Sequence, residues 1–217
     1  MVVVQHGEKE HAPGDPGLTR VGQEQARRTA AWLAGRPRPV AVWSSPLRRA
    51  VETAKPLAAA LGLDVVVDPR LRERMNWTGT TESLDDFLAD WQRASADRTF
   101  VPRSGDSSLD AAIRFLDALN DLADLAELAD PADLAAAHPA GTAVAVAHGG
   151  VTTDALPTVL GDDELSARSP TLVDHGVPSC AVTTFARDGG RWSVPSIAVT
   201  HHLGPGQRSG TTPDTTK

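Results

Sequence analysis

The sequence predicts an α/β fold: a single three-layer domain with a mostly parallel central sheet and helices on both faces. Three observations carry this. Short β-branched runs ("VVVQ", "PVAVWSS", "LDVVVDP", "GTAVAVAHGG") alternate with longer segments whose apolar residues recur every three or four positions. Glycines stand where those helical patterns stop. The chain has 217 residues, 41% of them hydrophobic, with no composition break near its middle, which suits one sizeable core.

The elements follow in order. Residues 2–5 read as a buried strand. Thr19 is placed to cap a helix running to about Ala34, with Ala26, Ala30 and Leu33 facing the core and Gly35 as the stop. Residues 39–45 form the second strand. Ser45 and Pro46 make a cap and first-turn pair for the next helix, whose buried stripe is Leu47, Val51, Ala54, Ala58 and Leu61, ending at Gly62. Residues 63–69 are the third strand. Helical spacing returns over 84–94 and 108–128, then 141–150 gives a fourth strand and 151–160 a helix. "CAVTTFARDGGRWSV" reads as a hairpin turning at Asp188, Gly189 and Gly190. Residues 1–203 therefore form the domain, with a helical insert over about 74–130. Residues 204–217, rich in Gly, Pro, Ser and Thr, are expected to be disordered.

Composition narrows the function. Lys and Arg number 21 against 28 Asp and Glu, a net charge of -7, so a general nucleic-acid-binding face is not expected. No apolar run reaches the roughly 18 residues a membrane span needs. "MVVVQHGEKE" lacks a basic n-region and a cleavage site, and the one cysteine, Cys180, cannot form an internal disulfide; both point to the cytoplasm, with Cys180 a small buried apolar residue. Seven histidines are present, but no His-Glu-x-x-His or Cys/His ligand spacing, and no Gly-rich Lys-Ser/Thr loop. Metallohydrolase and nucleotide-dependent kinase chemistry are therefore not expected.

In open α/β sheets, ligands bind outside the carboxyl ends of the strands. His6 follows the first strand, Ser44, Ser45, Arg48 and Arg49 the second, and His148 the fourth. Three remote segments thus bring polar groups to one sheet edge. A neutral imidazole with one nitrogen free and the other fixed is a good nucleophile toward phosphorus. Phosphoryl transfer also needs donors around the non-bridging oxygens, which arginines at a helix N-terminus supply, and an acid for the leaving oxygen. Glu73 in "RLRERMNWTG" is the candidate acid.

Several motifs, in order and over most of the chain, resemble the histidine phosphatase superfamily, the phosphoglycerate mutase-like proteins. "VVVQHGE" is similar to its strand ending in Arg-His-Gly, "GLTRVGQEQARRTAAWLA" to its first helix, and "VWSSPLRRAVETA" to its Ser-Ser-x-Leu-x-Arg-Ala segment. "LRERMNWTG" resembles the segment with the proton-donor Glu, and "RSGDSSLDAAIRF" a Gly-Glu-Ser helix entry with Asp106 in place of Glu. "VAVAHGGVT" resembles the segment with the second histidine, and "SCAVTTF" and "THHL" late strands. The resemblance implies a phosphoglycerate mutase-like fold and a phosphohistidine intermediate at His6. It implies Glu73 as proton donor, Arg49 rather than Arg48 as phosphate ligand, His148 as the second active-site histidine, and no metal or organic cofactor.

Gln5 departs from that pattern, standing where the resemblance implies an arginine. Losing a charge-assisted partner of a buried anion costs about 2–5 kcal/mol, or roughly one to four decades in rate. The favoured reading is that Gln5 donates a neutral hydrogen bond to phosphate while Lys9, Arg48 or Arg20 supplies charge. The leading function is hydrolysis of a phosphorylated small molecule, with no nucleic-acid or membrane partner. The alternatives are a phosphoglycerate mutase, which needs basic residues that 74–106 offers only as Arg93, Arg98 and Arg103, and a pseudophosphatase that binds a phosphorylated ligand. Ser44 and Ser45 read as turn and capping residues. His11, His138, His175, His201 and His202 read as surface or structural. Trp77 and Trp91, in the insert that should set specificity, either wall a pocket or pack, and the acidic "ESLDD" run disfavours polyanionic substrates. The sequence carries no signal of oligomeric state.

Overall fold

The computed structural model describes residues 1–36, 38–128 and 141–204. His138 and the tail from 205 onward lie outside the described residues. Six strands form one sheet in the order β3-β2-β4-β1-β5-β6. They are β1 (Val2–Gln5), β2 (Ala41–Ser44), β3 (Val65–Val67), β4 (Ala143–Ala147), β5 (Val182–Asp188) and β6 (Arg191–Val199). The first four are mutually parallel, and the β5–β6 hairpin joins β1 antiparallel. That hairpin turns on Gly189 and Gly190, both with positive φ (55° and 78°), the conformation a tight primed turn needs.

Seven helices are described: α1 (Arg20–Ala34), α2 (Arg48–Leu61), α3 (Leu84–Ala96), α4 (Ser108–Leu128), α5 (Gly149–Leu160), α6 (Asp162–Arg168) and α7 (Leu172–His175). Strand alternation divides the core in two. Val3, Ala143, Ala145 and Phe185 face a cluster containing Phe115, Leu119 and Leu122 of α4 and Val151 of α5. Val4, Val42, Val144 and Val146 face the other way, onto Leu33 of α1 and Ala54, Leu57 and Leu61 of α2. This is the three-layer arrangement, and each fully buried Leu or Phe in it contributes about 1.5–3 kcal/mol. Of the two helices expected to form the insert, α4 belongs to the central core, while α3 buries only Phe87, Asp90 and Ala94. No helix among the described residues is long and apolar enough to cross a membrane.

The structure corrects one capping assignment. Thr19 caps α1 as expected, its hydroxyl accepting from the Gly22 N–H at 3.0 Å. Ser45 does not cap α2, which begins at Arg48 after Leu47. Its hydroxyl accepts only a long bond (3.3 Å) from the Leu47 N–H and is engaged elsewhere, as described below. At the other end of β1, the chain needs two glycines to pass close to α1. A Cβ on Gly22 would lie 2.0 Å from the Glu8 carbonyl oxygen, and one on Gly7 2.6 Å from the Gly22 carbonyl oxygen. This close approach fixes the loop that leaves His6.

Candidate active site

Strand register sets the geometry. Gln5 pairs with Ala147 across β1 and β4, and Ser44 with Val146 across β2 and β4. His6 and His148, the next residues along, therefore leave adjacent parallel strands at one level, and Ser45 leaves β2 beside them. The two imidazole centroids are 5.2 Å apart, and both rings are buried.

Bonding chemistry fixes the state of His6. Its Nδ1 lies 2.7 Å from the Gly7 carbonyl oxygen, which can only accept, so Nδ1 carries the proton. Its Nε2 lies 3.2 Å from Arg49 Nε, which can only donate, so Nε2 presents its lone pair. Arg49 is the second residue of α2 and 1% exposed, and its Nη1 donates to Asn76 Oδ1 at 3.2 Å. Arg48 turns outward, pairing with Glu52 at 2.6 Å on the surface. Asn76 Nδ2 in turn donates to the Gly14 carbonyl, and Gly14 N–H to the Trp77 carbonyl, tying the loop after β1 to the loop that carries Glu73.

His148 precedes α5. Its Nε2 is 2.7 Å from Ser45 Oγ, the engagement that takes Ser45 from capping. Its Nδ1 is buried with no hydrogen-bond partner among the described residues. Burial first, then the nearby Arg49 charge, hold its pKa well below the ordinary histidine value, so the ring is neutral near pH 7.

The first turn of α5 also holds Glu73. Oε2 accepts from the Gly150 N–H at 3.0 Å, and Oε1 from the Val151 N–H at 2.8 Å and its own neighbour's Arg74 N–H at 2.9 Å. Negative charge suits a helix N-terminus. The loop bearing Glu73 is clamped from α4: Arg114 donates to the Arg72 carbonyl, and Asp106 bridges Arg72 and Arg114 at 2.7 Å to each. Gln5 lies beside the same helix end, since a Cβ on Gly149 would be 3.4 Å from Gln5 Nε2. Its Oε1 is buried without a partner among the described residues. Lys9 is half-buried in the loop after β1, where its backbone bridges to Leu18.

The fold thus gathers His6, Arg49, His148 and Glu73, with Gln5, at one edge of one sheet. Residues 1–200 match the sequence model of the Histidine phosphatase superfamily (branch 1). The chain belongs to the histidine phosphatase superfamily. Among curated superfamily members, it is 34% identical over 172 residues to a glucosyl-3-phosphoglycerate phosphatase of Mycolicibacterium vanbaalenii, covering 74% of each chain. It is 33% identical over 212 residues to phosphoglycerate mutase-like protein 4 of Arabidopsis thaliana, covering 94% of this chain and 86% of that one. A mycobacterial glucosyl-3-phosphoglycerate phosphatase solved with inorganic phosphate superposes with a TM-score of 0.71 at 27% identity, covering 94% of this chain and 99% of that one. The superfamily and these relatives support phosphatase chemistry.

Other histidines lie apart. His11 is exposed, and His175 bonds its own helix at the Thr171 carbonyl. His202 packs on Trp32 and bonds the Cys180 carbonyl; burial first lowers its pKa to about 4. Cys180 is buried, as composition suggested. Among the described residues, no group of three or more His, Cys, Asp or Glu is placed to hold a metal. Sequence reasoning missed Asn76 and the role of Ser45. It also missed a buried cluster in which Arg74 bonds Asp154 (2.7 Å), Ser108 and Ser95 (both 2.6 Å).

Proposed function

We propose that the chain hydrolyses a phosphorylated small molecule through a phosphohistidine at His6. The observation that carries this is the tautomer of His6, with Nδ1 held by the Gly7 carbonyl and the Nε2 lone pair facing Arg49. The incoming phosphoryl group displaces Arg49 from Nε2 and takes its guanidinium as a ligand on non-bridging oxygen. His148 Nδ1 donates to a second oxygen while the Ser45 hydroxyl donates to Nε2. The His6 lone pair forms the N–P bond as the P–O bond to the leaving group breaks, and Glu73, protonated as the phosphate dianion enters beside it, delivers that proton to the leaving oxygen. Water then attacks phosphorus, Glu73 takes its proton, and the N–P bond breaks to release inorganic phosphate. No step calls on a metal. The relatives' names make a phosphorylated glycerate bearing a sugar the first substrate to test. Rapid acid-free quenching during turnover should trap one phosphoryl group on the His6 peptide, seen by mass spectrometry. A label on another residue, or none during steady turnover, refutes the scheme.

One observation favours a second reading, a phospho-ligand binding module: Gln5 buries an oxygen beside the site that has no partner among the described residues. Arg48, expected as one source of replacement charge, is engaged with Glu52 instead. Gln5→Arg restores a cation next to His6 and should raise kcat/KM on a phosphomonoester at least about tenfold, within the one to four decades such a charge is worth. An unchanged or lower value would show that Gln5 is not the deficit it looks like on charge grounds.

A further inference from the structure

The insert helix α3 lays one tryptophan against the candidate proton donor. A Cβ built on Gly150 would lie 2.5 Å from Glu73 Oε1 and 2.8 Å from Trp91 Cη2, so the carboxylate and the far edge of the indole meet at the first turn of α5. The ring is fixed from behind. The Arg74 guanidinium stacks on it at 4.1 Å and is itself pinned by Asp154, Ser108 and Ser95. Phe87, fully buried, flanks it with centroids 6.1 Å apart. Despite these supports Trp91 stays half-buried, unlike Phe87 one turn away. A rigid aromatic edge thus stands beside the carboxylate proposed to address the leaving oxygen.

We propose that Trp91 is a specificity-determining residue: the edge of its indole walls the space beside Glu73 that the leaving group of the substrate enters, and it selects leaving groups that carry a ring with an apolar face, a sugar above all. This rests on the reading of Glu73 as proton donor, because the leaving group must sit where Glu73 can reach its bridging oxygen. Pockets of this kind combine aromatic walls with a few placed polar groups, and a pyranose offers the indole a face of C–H bonds while its hydroxyls stay wet.

The test compares phosphate release from 3-phosphoglycerate and from its glucosyl derivative, which differ only in the sugar. Wild type should prefer the glucosylated ester. Trp91→Ala should lower the ratio of the two kcat/KM values about tenfold, the size of one lost aromatic contact, through KM of the glucosylated ester. Trp91→Phe, which keeps an aromatic ring and the fold of α3, should fall between. A wild-type ratio at or below one, or a ratio that neither variant moves, overturns the proposal while leaving the phosphatase reading intact. A wild type that hydrolyses neither ester overturns both.

Discussion

His6→Ala is expected to lower kcat on any phosphomonoester by about four decades or more, some 5–6 kcal/mol of barrier, while leaving the phosphate site able to bind. The size follows from what the substitution removes. Arg49 and His148 remain, so much of the stabilisation of the phosphoryl oxygens persists. The covalent route is gone, and water must attack a phosphate dianion directly. KM, or the affinity for inorganic phosphate as product, should therefore change far less than kcat. The vacated space lies between the Gly7 carbonyl and Arg49 Nε, the two groups that fixed the ring. Imidazole added to the variant can occupy it, and partial recovery of rate is the expected signature of a missing nucleophile rather than a damaged fold. A variant that retains a tenth of the wild-type rate would show that His148 or water carries the reaction.

The sheet edge was legible because strand-to-loop punctuation is local. "VVVQH" and "AVAVAH" each set β-branched or small apolar residues before a histidine, and parallel pairing then levels their ends without further information. The choice of Arg49 over Arg48 came from the resemblance and was not legible from helical spacing alone. Adjacent helical residues point about 100° apart, so the inward one depends on where α2 begins. Ser45 looked like the cap, but its hydroxyl is drawn to His148, 103 positions away, and α2 starts only after Leu47. The same holds for Arg74 and Asp154, paired across 80 positions, where neither partner carries a local signal. Burial raises the Asp154 pKa to about 7 against the opposing pull of Arg74, a balance composed entirely of tertiary contacts. Asn76 sits in an aperiodic loop and becomes meaningful only once Arg49 is placed beside it. α6 did carry a signal that was passed over, three acidic residues in its first turn, Asp162, Asp163 and Glu164.

Glu73→Gln separates proton donation from the structural duty of the same side chain. Glu73 holds the α5 N-terminus through the Gly150 and Val151 N–H groups and its own loop through the Arg74 N–H, so the variant has two defects. The amide cannot give a proton to the leaving oxygen, and one end of it turns an NH2 toward N–H groups that need an acceptor. The second defect loosens α5 and His148, and it slows every substrate alike. The first depends on the leaving group. An alkoxide, as from a phosphoglycerate, cannot depart near neutral pH without protonation, whereas nitrophenolate departs unaided. General acid catalysis is worth about two to four decades where it is needed. On the alkyl ester, the rate of phosphohistidine formation should therefore fall by that much, and on p-nitrophenyl phosphate by only the structural share, about tenfold or less. The steps should also exchange rank. With a good leaving group, phosphohistidine still forms, but its hydrolysis lacks the base that took a proton from water, so the intermediate accumulates and a burst of nitrophenolate precedes a slow steady state. Equal losses on both esters, with no burst, would assign Glu73 to holding α5 alone and move the acid to another group. Because His6, Arg49 and the sheet edge are untouched by that outcome, it would leave the nucleophile in place and reassign one proton.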